Sequence, residues 1–235
     1  MIVGLLECDH VDERFRDVTE GDYLELFGRL FDAHVPDLEL RAFDVVGGEL
    51  PDGPEVCDGW VCTGSRHSAY DDLPWIADLE AFIRDVAAAG RPFVGVCFGH
   101  QVLAQALGGR VERASGWGAG VRPVAIDAPR PWMAPAAGSL RLHFMHQDQV
   151  VALPHGATVL GSAEHCPVAV LAVGERMLGI QAHPEFTDAY SAALLADREL
   201  RIGREATADA ASTLGGTTDD GTAARWIGRF LAQRT

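Results

Sequence analysis

Apolar positions follow two alternating rhythms along this chain. Residues 2–7 are a short, nearly continuous apolar run, the pattern of a buried strand. Residues 20–34 then carry Tyr23, Leu26, Phe27, Leu30 and Phe31 at three- and four-residue spacing, which predicts a helix with one buried face. Strand-like runs at 38–44 and 59–63 are separated by the turn-rich Gly47-Gly48-Glu49-Leu50-Pro51-Asp52-Gly53-Pro54. Residues 74–89 read as a helix with Ile76, Leu79, Phe82, Ile83 and Val86 on one face, started by Asp71-Asp72 ahead of Pro74 and ended by Gly90. A strand at 93–96 and a helix over 102–107 follow. Alternation of this kind predicts a largely parallel sheet covered on both faces.

The second half is richer in strands, expected at 120–126, 140–146, 150–153, 157–162, 168–173 and 177–182. The proline-rich 129–138 reads as a surface loop. Two closing helices are expected at about 188–206 and 222–233, joined by the Gly/Thr/Asp-rich 213–221. No repeat or break in composition divides the chain, so residues 1–235 are expected to form a single α/β unit with 188–235 packed on it.

Composition narrows the partners. The net charge of −15 argues against nucleic acid or an anionic membrane. No stretch approaches the ~20 apolar residues that a membrane span requires, and the start lacks the basic region of a signal peptide. Five cysteines, without a Cys-x-x-Cys pair, exclude zinc-ribbon and thioredoxin-type readings and point to a reducing, cytoplasmic setting. Cys8, Cys57, Cys62 and Cys166 lie in or beside strand-like runs and read as packing residues.

Cys97 differs from these four. It stands in Phe93-Val94-Gly95-Val96-Cys97-Phe98-Gly99-His100-Gln101, a strand running into a cysteine between two glycines, with a helix after it. Glycines gain a core strand nothing, but a sharp strand–turn–helix elbow needs them. The helix N-terminus then favours the thiolate, the reactive form. A thiolate nucleophile needs a base, and the base needs an orienting partner. Met177–Phe186 supplies both, as a strand that ends in His183-Pro184-Glu185; alternate residues of an extended segment face one side, so His183 and Glu185 point together. Both motifs fall at the carboxyl ends of strands, where open α/β sheets bind ligands.

These two motifs resemble the class I (triad) glutamine amidotransferases, especially the glutaminase domain of GMP synthase and its stand-alone relatives. The resemblance extends over nearly the whole chain. Cys62-Thr63-Gly64-Ser65-Arg66-His67-Ser68-Ala69-Tyr70 stands in the place of the family's oxyanion loop. Gly116-Trp117-Gly118 with Val121-Arg122-Pro123-Val124 resembles the opening of its second half, and Phe144-Met145-His146-Gln147-Asp148-Gln149-Val150 its substrate strand.

The resemblance implies a flavodoxin-like three-layer α/β fold with a central, largely parallel sheet. It also implies hydrolysis of the glutamine side-chain amide, or of a related γ-glutamyl amide, through a thioester on Cys97. His183 is then the base and Glu185 its orienter. The backbone N–H groups of Gly64 and Phe98 form the oxyanion hole, and Gln101 and His146 meet the substrate. No cofactor or metal is implied. Ammonia would pass to a separate synthase, since residues 186–235 are too few for a synthetase domain.

Two positions depart from the family's pattern. Gln147 replaces a glycine after the histidine of the substrate strand and could reshape the pocket. Arg66 lies where many members carry further glycine or proline; it either binds a substrate carboxylate or is a solvated loop charge. Three functional readings therefore stand: an ammonia-supplying glutaminase, a free-standing γ-glutamyl peptide or amide hydrolase, and a non-catalytic regulatory binding protein on the same fold. Elsewhere, His143 and His146 would face opposite sides of a strand, which argues against joint metal ligation, and the chain has no P-loop.

Overall fold

In the computed structural model, which describes residues 1–233, the first half of the chain forms β1 (Ile2–Glu7), α1 (Arg16–Thr19), α2 (Tyr23–His34), β2 (Glu39–Asp44), β3 (Gly59–Cys62), α3 (Pro74–Ala88), β4 (Phe93–Val96) and α4 (Phe98–Ala106). The second half forms β5 (Arg110–Ile126), β6 (Ser139–Ala152), β7 (Ala157–Ala163), β8 (Cys166–Val173), β9 (Met177–Ile180), α5 (Asp188–Ile202), α6 (Arg204–Ser212) and α7 (Asp220–Leu231). The nine strands make one sheet in the order β2-β1-β3-β4-β9-β8-β7-β5-β6. The first five in that order are parallel, and β8, β7, β5 and β6 continue the sheet antiparallel.

Side-chain alternation along the parallel strands separates two cores. Val3 and Leu5 of β1 and Val94 and Val96 of β4 pack with α2, α5 and α7 on one face. Leu6, Trp60 and Phe93 pack with α3 and α4 on the other. This is the three-layer arrangement that the strand–helix alternation predicts. Its tightness shows at Gly4, where a Cβ would fall 2.1 Å from the Trp60 ring. Among the described residues, no helix is long and apolar enough to cross a membrane.

Several element boundaries differ from the sequence reading. Helix α2 starts at Tyr23 because Asp22 caps it: its carboxylate accepts from Tyr23 N–H at 2.9 Å, and Glu25 accepts from Asp22 N–H at 2.7 Å. Helix α3 begins at Pro74 with Leu73 as its cap, and Asp71 instead accepts from Ser68 N–H at 3.0 Å, so the aspartates do not start it. Helix α4 starts at Phe98, four residues earlier than its apolar run suggests. The runs at 140–146 and 150–153 are one strand, β6, because ladder hydrogen bonds to β5 carry it through the polar Gln147-Asp148-Gln149. The expected 188–206 helix breaks at Gly203, whose φ of 96° suits glycine, into α5 and α6. Residues 234 and 235, the end of the expected helical segment, lie outside the described residues.

Candidate active site

Strand β4 delivers the chain to Cys97, and α4 takes it away. Cys97 sits one residue before α4 with φ 53° and ψ −100°, a region costly for any side chain. Backbone bonds hold this turn: Cys97 N–H donates to Ile180 O at 2.9 Å and Gly99 N–H to Thr63 O at 3.1 Å. The bracketing glycines are required by contact. A Cβ at Gly95 would lie 2.2 Å from Gly99 O, and one at Gly99 would lie 2.4 Å from Cys62 O. They let the first turn of α4 sit directly on the β3 and β4 backbone, which leaves the buried Cys97 side chain lining two cavities.

His183 reaches the same point from β9. A single bridge fixes it, with its N–H donating to His143 O at 2.8 Å. Its Nδ1 lies 2.7 Å from Glu185 Oε1. A carboxylate can only accept, so Nδ1 carries the proton and Nε2 is the nitrogen left for chemistry. Phe186 stacks on the imidazole, with centroids 3.9 Å apart and planes at 15°. Burial alone would lower the His183 pKa, but the neighbouring Cys97 and Glu185 outweigh it and push it up to about 10. Imidazolium is therefore the favoured form of His183.

Gly64 lies against both groups: a Cβ there would be 3.0 Å from His183 Cε1 and 3.7 Å from Cys97 Cβ. The Phe98 N–H opens α4 and has no acceptor within the helix. Both N–H groups thus belong to backbone beside Cys97. Gln101, one turn further, donates from Nε2 to Asp148 O at 2.7 Å and to Gln181 Oε1 at 3.2 Å, and lines the larger cavity. His146 lines it too. Its Nδ1 must donate to the same Asp148 carbonyl, at 3.0 Å, and burial holds its pKa down to about 3, so it is neutral. His143 is directed elsewhere and bonds Ser191 of α5 at 2.8 Å.

The two departures resolve differently. Gln147 borders the cavity, but its amide is engaged with β5: Arg113 Nε donates to it at 2.9 Å, and it donates to Ala114 O at 3.3 Å. Arg66 also borders the cavity, and its guanidinium is turned to Asp9, with Nε 2.9 Å from both carboxylate oxygens. Sequence reasoning missed Arg113, Arg198 and Arg201, which with Trp117 line the same cavity. Trp117 comes from the stretch where the β5–β6 register slips between Arg113 and Gly118, and Arg201 lies over its ring at 5.5 Å. A signal for Arg198 and Arg201 was present: with Tyr190 and Leu194 they recur along one face of α5.

The arrangement offers a thiol on a strained elbow, a carboxylate-anchored imidazole, backbone N–H groups beside the sulfur and a polar cavity. Such a set suits attack on a carbonyl carbon. Comparison with known proteins agrees in kind. The family model "Glutamine amidotransferase class-I" matches residues 63–200. γ-Glutamyl peptidase 3 of Arabidopsis thaliana is 33% identical over 184 residues, covering 74% of this chain and 73% of that protein. A glutamine-hydrolyzing GMP synthase subunit of Halobacterium salinarum is 32% identical over 169 residues, 71% of this chain and 85% of that one. The crystal structure of a glutamine amidotransferase from Thermotoga maritima superposes with a TM-score of 0.76 over 99% of both chains at 21% identity, a likeness of fold.

Proposed function

The chain belongs to the class I glutamine amidotransferase family, and from that membership we propose that it hydrolyses a γ-glutamyl amide through a thioester on Cys97. The Cys97 thiolate attacks the amide carbon, and the carbonyl π electrons move onto oxygen, where the Gly64 and Phe98 N–H groups receive the charge. As the intermediate collapses, the C–N bond breaks and the His183 imidazolium gives its proton to the departing nitrogen. His183, now neutral, takes a proton from water; the hydroxide attacks the thioester carbon, the C–S bond breaks and the thiolate returns. The products are glutamate and an amine, or ammonia when the substrate is glutamine. Glu185 holds the tautomer and stabilises the imidazolium in both half-reactions.

One observation carries this reading: the positive-φ cysteine stands beside an imidazole that is hydrogen-bonded at 2.7 Å to a buried carboxylate. A regulatory protein on the same fold has no use for a strained cysteine so placed. Cys97→Ala should abolish hydrolysis of glutamine and γ-glutamyl peptides, and labelling by a γ-glutamyl electrophile, while the circular dichroism spectrum is kept. Full product release by this variant would refute the covalent route. Kinship to the Halobacterium protein supports a second reading, in which glutamine is the substrate and ammonia passes to a separate synthase. Kinship to the plant peptidase supports a free-standing hydrolase. Rates on glutamine alone, set against γ-glutamyl peptides, decide between the two.

A further inference from the structure

Cys97 is approached from two sides. The larger cavity is also lined by Gln101, His146 and Trp117. The smaller one has both Cys97 and His183 in its wall, together with Asp9, Tyr23, Leu194 and Arg198. If His183 protonates the departing nitrogen, that nitrogen leaves on the His183 side of the sulfur, toward the smaller cavity. The smaller cavity by itself has room for little more than a water, so whatever is attached to that nitrogen lies along the wall it shares with the larger one, which includes Ser65, Arg66 and Arg198.

The charges in that wall are unequal. Asp9 is held at 2.9 Å by Arg66, so the two cancel. Arg198 is half-buried and, among the described residues, forms no ion pair and no hydrogen bond with another side chain or the backbone. The two acids beside it in sequence are both occupied, Asp197 by Arg14 at 2.7 Å and Glu199 by Arg204 at 3.2 Å. Arg198 also lines both cavities, as Cys97 does. It is an uncompensated cation in a chain of net charge −15, beside a nucleophile that ammonia alone would leave without need of it.

We propose that the leaving group lies along the wall the two cavities share and that Arg198 is its specificity determinant, binding a carboxylate of the amine released, so that the preferred substrates are γ-glutamyl amino acids or peptides with a free carboxylate rather than glutamine. This rests on the hydrolase reading above and names its substrate class. The guanidinium offers a fork of N–H donors matched to a carboxylate, and its neighbours do not compete for it.

The test compares glutamine, γ-glutamylglycine, γ-glutamylglycylglycine and the C-terminal amides of the two peptides. Replacing carboxylate by carboxamide removes the charge and keeps the shape. For one peptide length or both, the wild-type kcat/KM for the acid should exceed that for the amide by about 10- to 100-fold, the range of a charge-assisted hydrogen bond. Arg198→Gln should bring this ratio close to one, and Arg198→Lys should restore part of it. A wild-type ratio near one overturns the proposal without any variant. So does a ratio that survives Arg198→Gln, or one that disappears only in Arg201→Gln. Hydrolysis with no acid preference defeats this proposal alone, whereas no hydrolysis of any of the five compounds defeats the hydrolase reading beneath it.

Discussion

Position 97 joins backbone strain and the proposed nucleophile in one residue. A cysteine with φ 53° is held off its preferred backbone by bonds to Ile180 and by the seat of α4. Such strain costs on the order of 1–3 kcal/mol and is released by glycine but not by alanine. Cys97→Gly should therefore be more stable than Cys97→Ala, by about 1 kcal/mol in urea unfolding, although neither hydrolyses substrate; equal stabilities would show that the elbow is unstrained. Glu185 acts through His183. Glu185→Gln removes one of the charges that raise the imidazole pKa, so it should lower kcat about a hundredfold or more and move the alkaline limb of the pH–rate profile to lower pH. An unmoved limb would count against Glu185 as its positioning residue. Cys97, His183 and Glu185 were legible in the sequence because each announces itself locally, through bracketing glycines or a two-residue alternation. Arg198 was not singled out, since its place on the α5 face of Tyr190 and Leu194 does not by itself distinguish a functional charge from a solvated one until the fold shows what that face meets.

Among the elements, α2 shows how a local signal sets a boundary. Asp22 accepts from Tyr23 N–H, closes a capping box with Glu25, and also meets Arg16 at 2.9 Å and His10 at 3.1 Å. Asp22→Ala should cost about 1–2 kcal/mol in chemical denaturation, and Asp22→Asn, which keeps the capping oxygen, distinctly less. Apolar periodicity located α2, α3 and the parallel strands well, because those faces are buried against the sheet. It failed for β5 and β6, where exposed and polar residues alternate irregularly and the ladder between the two strands supplies the order. It also ran α5 and α6 together, because one glycine break does not disturb the apolar rhythm on either side.

Across the whole molecule, buried titratable groups set the response to pH. Burial lowers His100 to about 4 and His146 to about 3. Below pH 6.5 the unfolded chain binds protons that these sites refuse, so the stability they contribute is present above 6.5 and lost as pH falls toward 4 and 3. Glu7 is raised to about 7, mainly by burial, and has the opposite sign: its contribution is full below 4.5 and is lost as pH rises through 7. His183, raised to about 10, contributes fully below 6.5 and loses that contribution as pH rises toward 10. Thermal midpoints should therefore decline on both sides of neutrality. The alkaline decline should be shallower in Cys97→Ala, which removes the largest upward influence on His183; an identical decline would mean that the two groups do not interact. Fold class, the strand–helix order and the choice of Cys97, His183 and Glu185 as candidate residues follow from the sequence by itself, because burial periodicity and turn stereochemistry are local properties of the chain. Only the tertiary structure decided that Arg66 is spent on Asp9, that Gln147 is engaged with β5, and that Arg198, among the described residues, stands unpaired in cavities it lines with Cys97. Charge pairing depends on distance in space, and residues 9, 66, 97 and 198 become neighbours only when the sheet and α5 come together.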